Sequence, residues 1–367
     1  MGCGKSRVQD TEVQKKVELG NSGDIDSSKT KPDVQITDQE NNNVPLEDAD
    51  DSYSNTRLLL LGAAESGKTT LLEQIRLLYK QNYSETELFH RKSFTYNIIM
   101  QSIRNLIGMM KSAQKEFDNP ENKQYCDVIM EEDEVQYACF RSDVAEAISR
   151  VWLDTAVQEL YKSRSSINLN DSARYFLDSI ERINKFDYKP TPQDLIMSYV
   201  PTVGVQNVVF QANKKSFQLF DIGGQKIDRR KWATMYDGID AIFFCLAISE
   251  YDQTMTEDNN TNRLDDALCL LKKISEEKKF ENIPLFLFCN EVDVFLEKLP
   301  HIPLNQYQTA YSGTTDEEAL CFVENLAREV VSCRDPSLFF PYRTTCIDTD
   351  SMSKILEKVF TTILKGK

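Results

Sequence analysis

The sequence predicts an α/β fold: a mostly parallel sheet with helices on both faces, and an all-helical block inserted into it. Three observations carry that expectation. Residues 58–61 are an unbroken apolar run of strand length, as in a strand buried on both faces. After Pro201, strand-like and helix-like segments alternate, the pattern of parallel strands joined by crossover helices. Between these regions, residues 85–187 carry helical periodicity and no strong strand signal.

Taken in order, residues 1–53 read as a disordered tail. The first 56 residues hold six basic against twelve acidic side chains, no aromatic before Tyr53, and Gly20, Gly23, Pro32 and Pro45 as helix breakers. Residues 54–83 open the sheet domain, with a strand at 58–61, a glycine-bounded loop and a helix at 70–79. Leu71, Leu72, Ile75 and Leu78 fall on one face of that helix. Residues 84–196 form the helical insertion, with helices expected at 94–110, 143–161 and 172–183. Residues 197–367 return to the sheet domain. Strands are expected there at 205–211, 216–220, 241–248 and 284–289, and helices at 263–275, 317–331 and 351–364.

Composition narrows the chemistry. The 367 residues carry 43 Lys and Arg against 58 Asp and Glu, a formal charge of −15. That balance argues against charge-driven nucleic-acid binding. His90 and His301 are the only histidines, so zinc sites and histidine triads lack material. The nine cysteines are odd in number and form no C-x-x-C, as expected of reduced intracellular thiols. No apolar stretch approaches the roughly 20 residues that a membrane-spanning helix needs. The N-terminus, however, fits M-G-x-x-x-[ST], which marks Gly2 for myristoylation with Cys3 beside it for palmitoylation. Two acyl chains anchor stably where one does not.

The chemical motifs follow in order. GAAESGKT at 62–69 matches G-x-x-x-x-G-K-[ST], between an apolar strand and an amphipathic helix. Its glycines let consecutive N–H groups curl around phosphate oxygens, and the helix start adds its positive dipole end. Lys68 supplies a cation to the β/γ-phosphates and Thr69 a hydroxyl to Mg²⁺. DIGGQ at 221–225 ends a strand. Asp221 suits a water-mediated Mg²⁺ contact, Gly224 lets an N–H approach a γ-phosphate, and Gln225 can orient an attacking water. NEVD at 290–293 also ends a strand. Asp293 can accept from guanine N1 and N2, whereas adenine would face it with an acceptor.

With these residues in hand, the chain resembles a heterotrimeric G-protein alpha subunit over about residues 54–364. The resemblance rests on GAAESGKTT (62–70), NDSARYFL (170–177), DLIMSYVPTVG (194–204), DIGGQKIDRRKW (221–232), FCNEVD (288–293) and TTCIDT (344–349). It implies a Ras-like P-loop GTPase domain with an inserted all-helical domain, binding GTP or GDP with Mg²⁺ and hydrolysing GTP. Glu65, Ser66, Gly67, Lys68, Thr69, Thr70 and Gly224 would hold phosphates. Thr69 and Thr202 would ligate Mg²⁺, with Asp221 acting through water. Asn290, Asp293, the backbone of Cys346, Asp171, Ser172 and Ile196 would hold guanine and ribose. Gln225, Lys68 and Thr202 would carry catalysis. The resemblance also implies acyl chains at the cytoplasmic face of the plasma membrane, and a beta-gamma or effector surface at the second switch, 226–232.

The chain also departs from the family. Tyr199 stands where the family carries its arginine finger, Val203 replaces the following threonine, and no Lys or Arg lies between Pro190 and Gly204. An arginine finger is worth about 10³–10⁵ in rate, a magnitude already established for GTPases of this class. Weak hydrolysis in cis is therefore expected, unless a GTPase-activating partner supplies an arginine. Glu65 is expected to lose its arginine partner. Glu291 replaces the lysine of N-K-x-D, removing a cation over the base and adding repulsion near phosphates. Looser binding and faster exchange follow as expectations. The tail lacks the long helix that grips beta-gamma, and the chain stops at 367, roughly two turns short of the receptor-reading end. The alternative is a decayed, non-hydrolysing guanine-nucleotide scaffold. A kinase or transporter ATPase conflicts with Asp293.

Overall fold

Six strands build the sheet: β1 (Thr56–Gly62), β2 (Val205–Ala212), β3 (Lys215–Ile222), β4 (Ala241–Ala247), β5 (Leu285–Asn290) and β6 (Phe339–Arg343). They lie in the order β2-β3-β1-β4-β5-β6. The computed structural model describes residues 55–79, 83–132, 139–164, 169–198, 204–255 and 260–366, all within one compact unit. β1 sits at the centre, parallel to β3 in the register Leu58↔Leu219 and to β4 in the register Leu60↔Phe243. β4, β5 and β6 continue in parallel. Only the edge strand β2 runs antiparallel, joined to β3 through Asn213 and Lys214 at φ 49° and 61°. Two consecutive left-handed residues make the tight turn that a twisted hairpin favours.

Successive β1 side chains point to opposite faces, so both faces are apolar. Leu59 and Leu61 pack with Phe244 and Leu246 under α9 (Arg263–Ser275) and α11 (Asp316–Val330). Leu58 and Leu60 pack with Phe243 and Phe286 under α1 (Lys68–Leu78) and α12 (Thr349–Lys365). The short α10 (Val292–Lys298) follows β5.

Between α1 and β2 the described residues form helices joined by turns and loops, with no strand among them and a core of their own. α2 (Glu85–Ser112) starts on a capping box between Ser84 and Glu87. α3 (Lys123–Glu131), α4 (Ser142–Trp152), α5 (Thr155–Tyr161), α6 (Ala173–Asp178), α7 (Ile180–Ile183) and α8 (Pro192–Met197) follow. Ile99, Ile103, Val144, Ile148, Trp152 and Phe176 form the centre of this block.

Several boundaries differ from the sequence expectation. The helix expected over 143–161 breaks after Trp152. Asp154 caps α5 through Ala156 N–H and also accepts from the N–H groups of Asp118 and Asn119 and from Asn122 Nδ2. The helix expected over 172–183 breaks at Ser179 into α6 and α7. β6 and α10 were not foreseen. β6 is half-buried along its length and carries Pro341, which weakens the strand signal of the aromatic residues around it.

Candidate functional site

β1 ends at Gly62 and α1 begins at Lys68, so the loop between them lies at the carboxyl edge of the parallel strands, where open α/β sheets bind ligands. Gly67 adopts φ 87°, and a Cβ there would stand 2.1 Å from Asn290 Nδ2. Only glycine fits. Lys68 is almost fully buried and donates to the Ala63 carbonyl at 2.5 Å, as does Ser66 Oγ at 2.9 Å. Desolvation lowers the Lys68 ammonium from its ordinary value, and the nearby Asp221 carboxylate opposes that shift.

Asp221 ends β3, fully buried. Gly224 follows against the loop between β1 and α1, where a Cβ would meet both the Ala63 carbonyl and Lys68 Nζ at 2.5 Å. Arg229 holds this turn. Its Nε donates to the Gly224 carbonyl at 2.8 Å and its two Nη atoms to Asp266 of α9 at 3.1 and 2.7 Å. Trp232 Nε1 donates to the Gly223 carbonyl at 3.1 Å. The donor chemistry suits a hard divalent cation, since the Thr69 hydroxyl and the Asp221 carboxylate are oxygen ligands. Among the described residues no group of three His, Cys, Asp or Glu side chains gathers, so such an ion would complete its shell with phosphate oxygens and water.

At the other end, Asn290 is a stitch. Its Oδ1 accepts from Cys346 N–H at 2.9 Å and Thr344 Oγ1 at 3.3 Å, while Nδ2 donates to the Ser66 carbonyl at 3.4 Å. The Cys346 carbonyl accepts from Gln74 Nε2 at 2.8 Å. The backbone of Cys346, expected to reach guanine, is thus engaged with Asn290 and Gln74. Asp293 opens onto the cavity. Desolvation raises its carboxyl, against hydrogen bonds from Val294 N–H and Thr345.

These segments converge on one cavity of about 650 Å³. Glu65, Gly67, Lys68, Thr69, Thr70, Asp171, Ser172, Ile196, Gly224, Gln225, Asn290, Asp293 and Cys346 line it. Ser66 and Asp221 are buried and are not among its lining residues. Thr202, Tyr199, Gly2 and Cys3 lie outside the described residues.

Two expectations gain detail. Glu65 pairs with a different arginine from the one expected opposite it: Arg263 Nη1 lies 2.7 Å from its carboxylate. The same guanidinium holds Glu250 at 2.5 Å and donates to the Ala64 carbonyl at 3.0 Å. Burial pushes the Glu250 carboxyl up to about 7, with Arg263 opposing. Glu291, in a left-handed conformation at φ 65°, accepts from Ser249 Oγ. Burial, with Glu250 and Asp171 nearby, raises its carboxyl well above the usual carboxylate range. Glu291 supplies no cation, and burial shifts its carboxyl toward the neutral form. Sequence reasoning missed Arg263, Glu250, Arg164 and Glu297, because each acts through partners more than a hundred residues away or on an unrelated element.

A family profile for the G-protein alpha subunit matches residues 31–363. A guanine nucleotide-binding protein alpha-13 subunit of Caenorhabditis briggsae is 54% identical over 336 residues, covering 92% of this chain and 96% of that one. One of the same description from Caenorhabditis elegans is 55% identical over 319 residues, 87% of this chain and 92% of the relative. A guanine nucleotide-binding protein subunit alpha of Emericella nidulans is 38% identical over 266 residues, 72% and 75% of the two chains. With the profile spanning most of the sequence, the chain belongs to the G-protein alpha subunit family, GTPases that serve as guanine-nucleotide signalling switches.

Proposed function

We propose that this switch binds GTP and GDP with Mg²⁺ and hydrolyses GTP slowly in cis. One observation carries the reading: the phosphate loop, the turn after β3 and Asp293 border a single cavity. Lys68 neutralises the β/γ-phosphates, Gly224 offers its N–H to the γ-phosphate, and Gln225 orients water for in-line attack. Thr69, Thr202 and, through water, Asp221 hold the ion, which supplies charge neutralisation on the phosphate oxygens. Asp293 selects guanine, while Asn290 and Cys346 fix the loop that frames the base. Tyr199 is neutral and leaves the developing charge without its usual guanidinium. Slow hydrolysis, with no cation at position 291, favours a largely GTP-loaded protein.

In this reading residues 54–83 and 197–367 form the Ras-like domain and 84–196 the helical insertion. Members of the family work with beta-gamma dimers and effectors; the second switch at 226–232 is the surface assigned to them here. A GTPase-activating partner would supply the missing arginine. Among the described residues no helix is long and apolar enough to cross a membrane. Acyl chains on Gly2 and Cys3 would hold the protein at the cytoplasmic face of the plasma membrane.

Fluorescent mant-GDP and mant-GTP binding, with ATP as competitor, tests the assignment. Competition by GTP and not by ATP is expected. Equal competition by ATP overturns guanine selection, and tight GTP binding with no phosphate release points to the non-hydrolysing scaffold. Nucleotide release much slower than hydrolysis would contradict the GTP-loaded state.

A further inference from the structure

A carboxylate is an awkward side chain for a loop that receives polyphosphate. Glu65 sits in the loop between β1 and α1, lines the cavity, and has a half-exposed side chain. Its backbone is left-handed at φ 61°, a conformation that is unfavourable for a residue with a Cβ. One side chain holds both the charge and the strained turn.

That side chain is Arg263, the first residue of α9. Its root is fixed twice. Asn262 caps α9 through Asp265 N–H at 3.2 Å while its Nδ2 donates to the Tyr251 carbonyl at 2.7 Å, and Arg263 N–H donates to the Gln253 carbonyl at 3.0 Å. The guanidinium reaches forward with Nη1 to Glu65 at 2.7 Å and Nη2 to Glu250 at 2.5 Å, and Nη2 also donates to the Ala64 carbonyl at 3.0 Å. Glu65 and Glu250 line the cavity, whereas Arg263 is not among its lining residues and its side chain is 8% exposed. It meets the loop from behind. Among the described residues, the basic side chains on the cavity wall are engaged elsewhere: Lys68 with the Ala63 carbonyl, Arg164 with Asp171 and Glu297, and Arg174 with Asp178.

We infer that Arg263 is a positioning residue that sets specificity for the number of phosphates: from behind the loop it holds the Glu65 carboxylate in an ion pair, and so lets the cavity accept the more highly charged triphosphate. The inference rests on the guanine-nucleotide reading above. Repulsion from an unpaired carboxylate grows with the charge of the ligand, so losing the guanidinium falls harder on GTP than on GDP.

The test is equilibrium titration of the full-length protein, at fixed Mg²⁺, with mant-GDP and with mant-GMPPNP, the imido analogue of GTP that resists hydrolysis. Arg263→Ala is expected to weaken mant-GDP about threefold and mant-GMPPNP about tenfold or more. In a Glu65→Gln background the same substitution should lose its preference, weakening the two nucleotides to within about twofold of each other, because the carboxylate that Arg263 holds is gone. Arg263→Lys keeps a cation beside Glu65, and its ratio of the two affinities should lie closer to wild type than that of Arg263→Ala. If Arg263 only braces the fold, Arg263→Ala weakens both nucleotides by one factor whether or not Glu65 is substituted, and that overturns the inference. A heavier loss for mant-GDP than for mant-GMPPNP overturns it equally. Should Arg263→Ala fail to fold because Glu250 is left buried without its cation, the comparison is made between Glu250→Gln and Glu250→Gln/Arg263→Ala, and the same ratio decides. Absence of saturable mant-GDP binding by the wild type would instead overturn the nucleotide reading itself, and the inference with it.

Discussion

Glu291 is the residue whose role changed most between sequence and structure. By formal charge it repels phosphates; in place, it accepts from Ser249 Oγ and its carboxyl is raised by burial beside Glu250 and Asp171. A carboxyl raised by folding contributes stability in full below the ordinary 4.5 and loses it as pH climbs through the folded value. Glu291→Gln should therefore melt higher than wild type above neutral pH, with a flatter pH profile. Thermal melts from pH 5 to 8.5 check this, and parallel profiles for the two proteins would count against it. The placement of residues 62–69 in the loop between β1 and α1 was legible because motif spacing alone brings them together. Arg263 was not, because its pairing with Glu65 spans nearly two hundred residues and depends on how α9 meets the loop. Sequence offers carboxylates and cations but not which of them meet.

At the scale of elements, the loop between β1 and α1 depends on glycine at position 67. Gly67→Ala would place a Cβ 2.1 Å from Asn290 Nδ2 in a left-handed conformation. It should weaken mant-GDP binding by more than about tenfold and lower stability by more than about 1 kcal/mol. Equilibrium titration and urea unfolding measure the two effects. The helical block has a comparable dependence on Asp194, fully buried at the start of α8. It accepts from Tyr175 at 2.7 Å, from Arg182 at 2.7 and 2.8 Å, from Tyr188 at 3.1 Å and from Thr191 N–H at 2.8 Å. These partners hold its carboxyl down at about 2, against desolvation that raises it. Its contribution is present above the ordinary 3.8 and is lost as pH falls toward about 2. Asp194→Ala should cost about 2–3 kcal/mol in urea unfolding at pH 7, by leaving two tyrosines and a guanidinium without their acceptor. Strands buried on both faces were legible as apolar runs; β6 and the break at Asp154 were not. The first is half-buried, and the second arises from backbone donors at Asp118 and Asn119 far back in the chain.

For the whole molecule, a sheet domain and a helical block enclose one cavity between them, and both contribute to its walls. The fold class was legible because alternating strands and helices on one side, and helical periodicity alone on the other, require two different cores. The structure holds those cores separately, on the two sheet faces and inside the helical block. What the sequence could not convey was how the two blocks are held across the mouth, which is a matter of single side chains. With only two histidines, His90 and His301, the chain leaves little material for histidine chemistry. The central claim is a guanine-nucleotide switch whose own hydrolysis is slowed by a tyrosine in the place of an arginine. Single-turnover GTP hydrolysis by wild type and Tyr199→Arg tests it most directly. The account predicts a slow wild type and a variant faster by about 10³ or more, the scale established for GTPases of this class. Equal rates in the two proteins would contradict it.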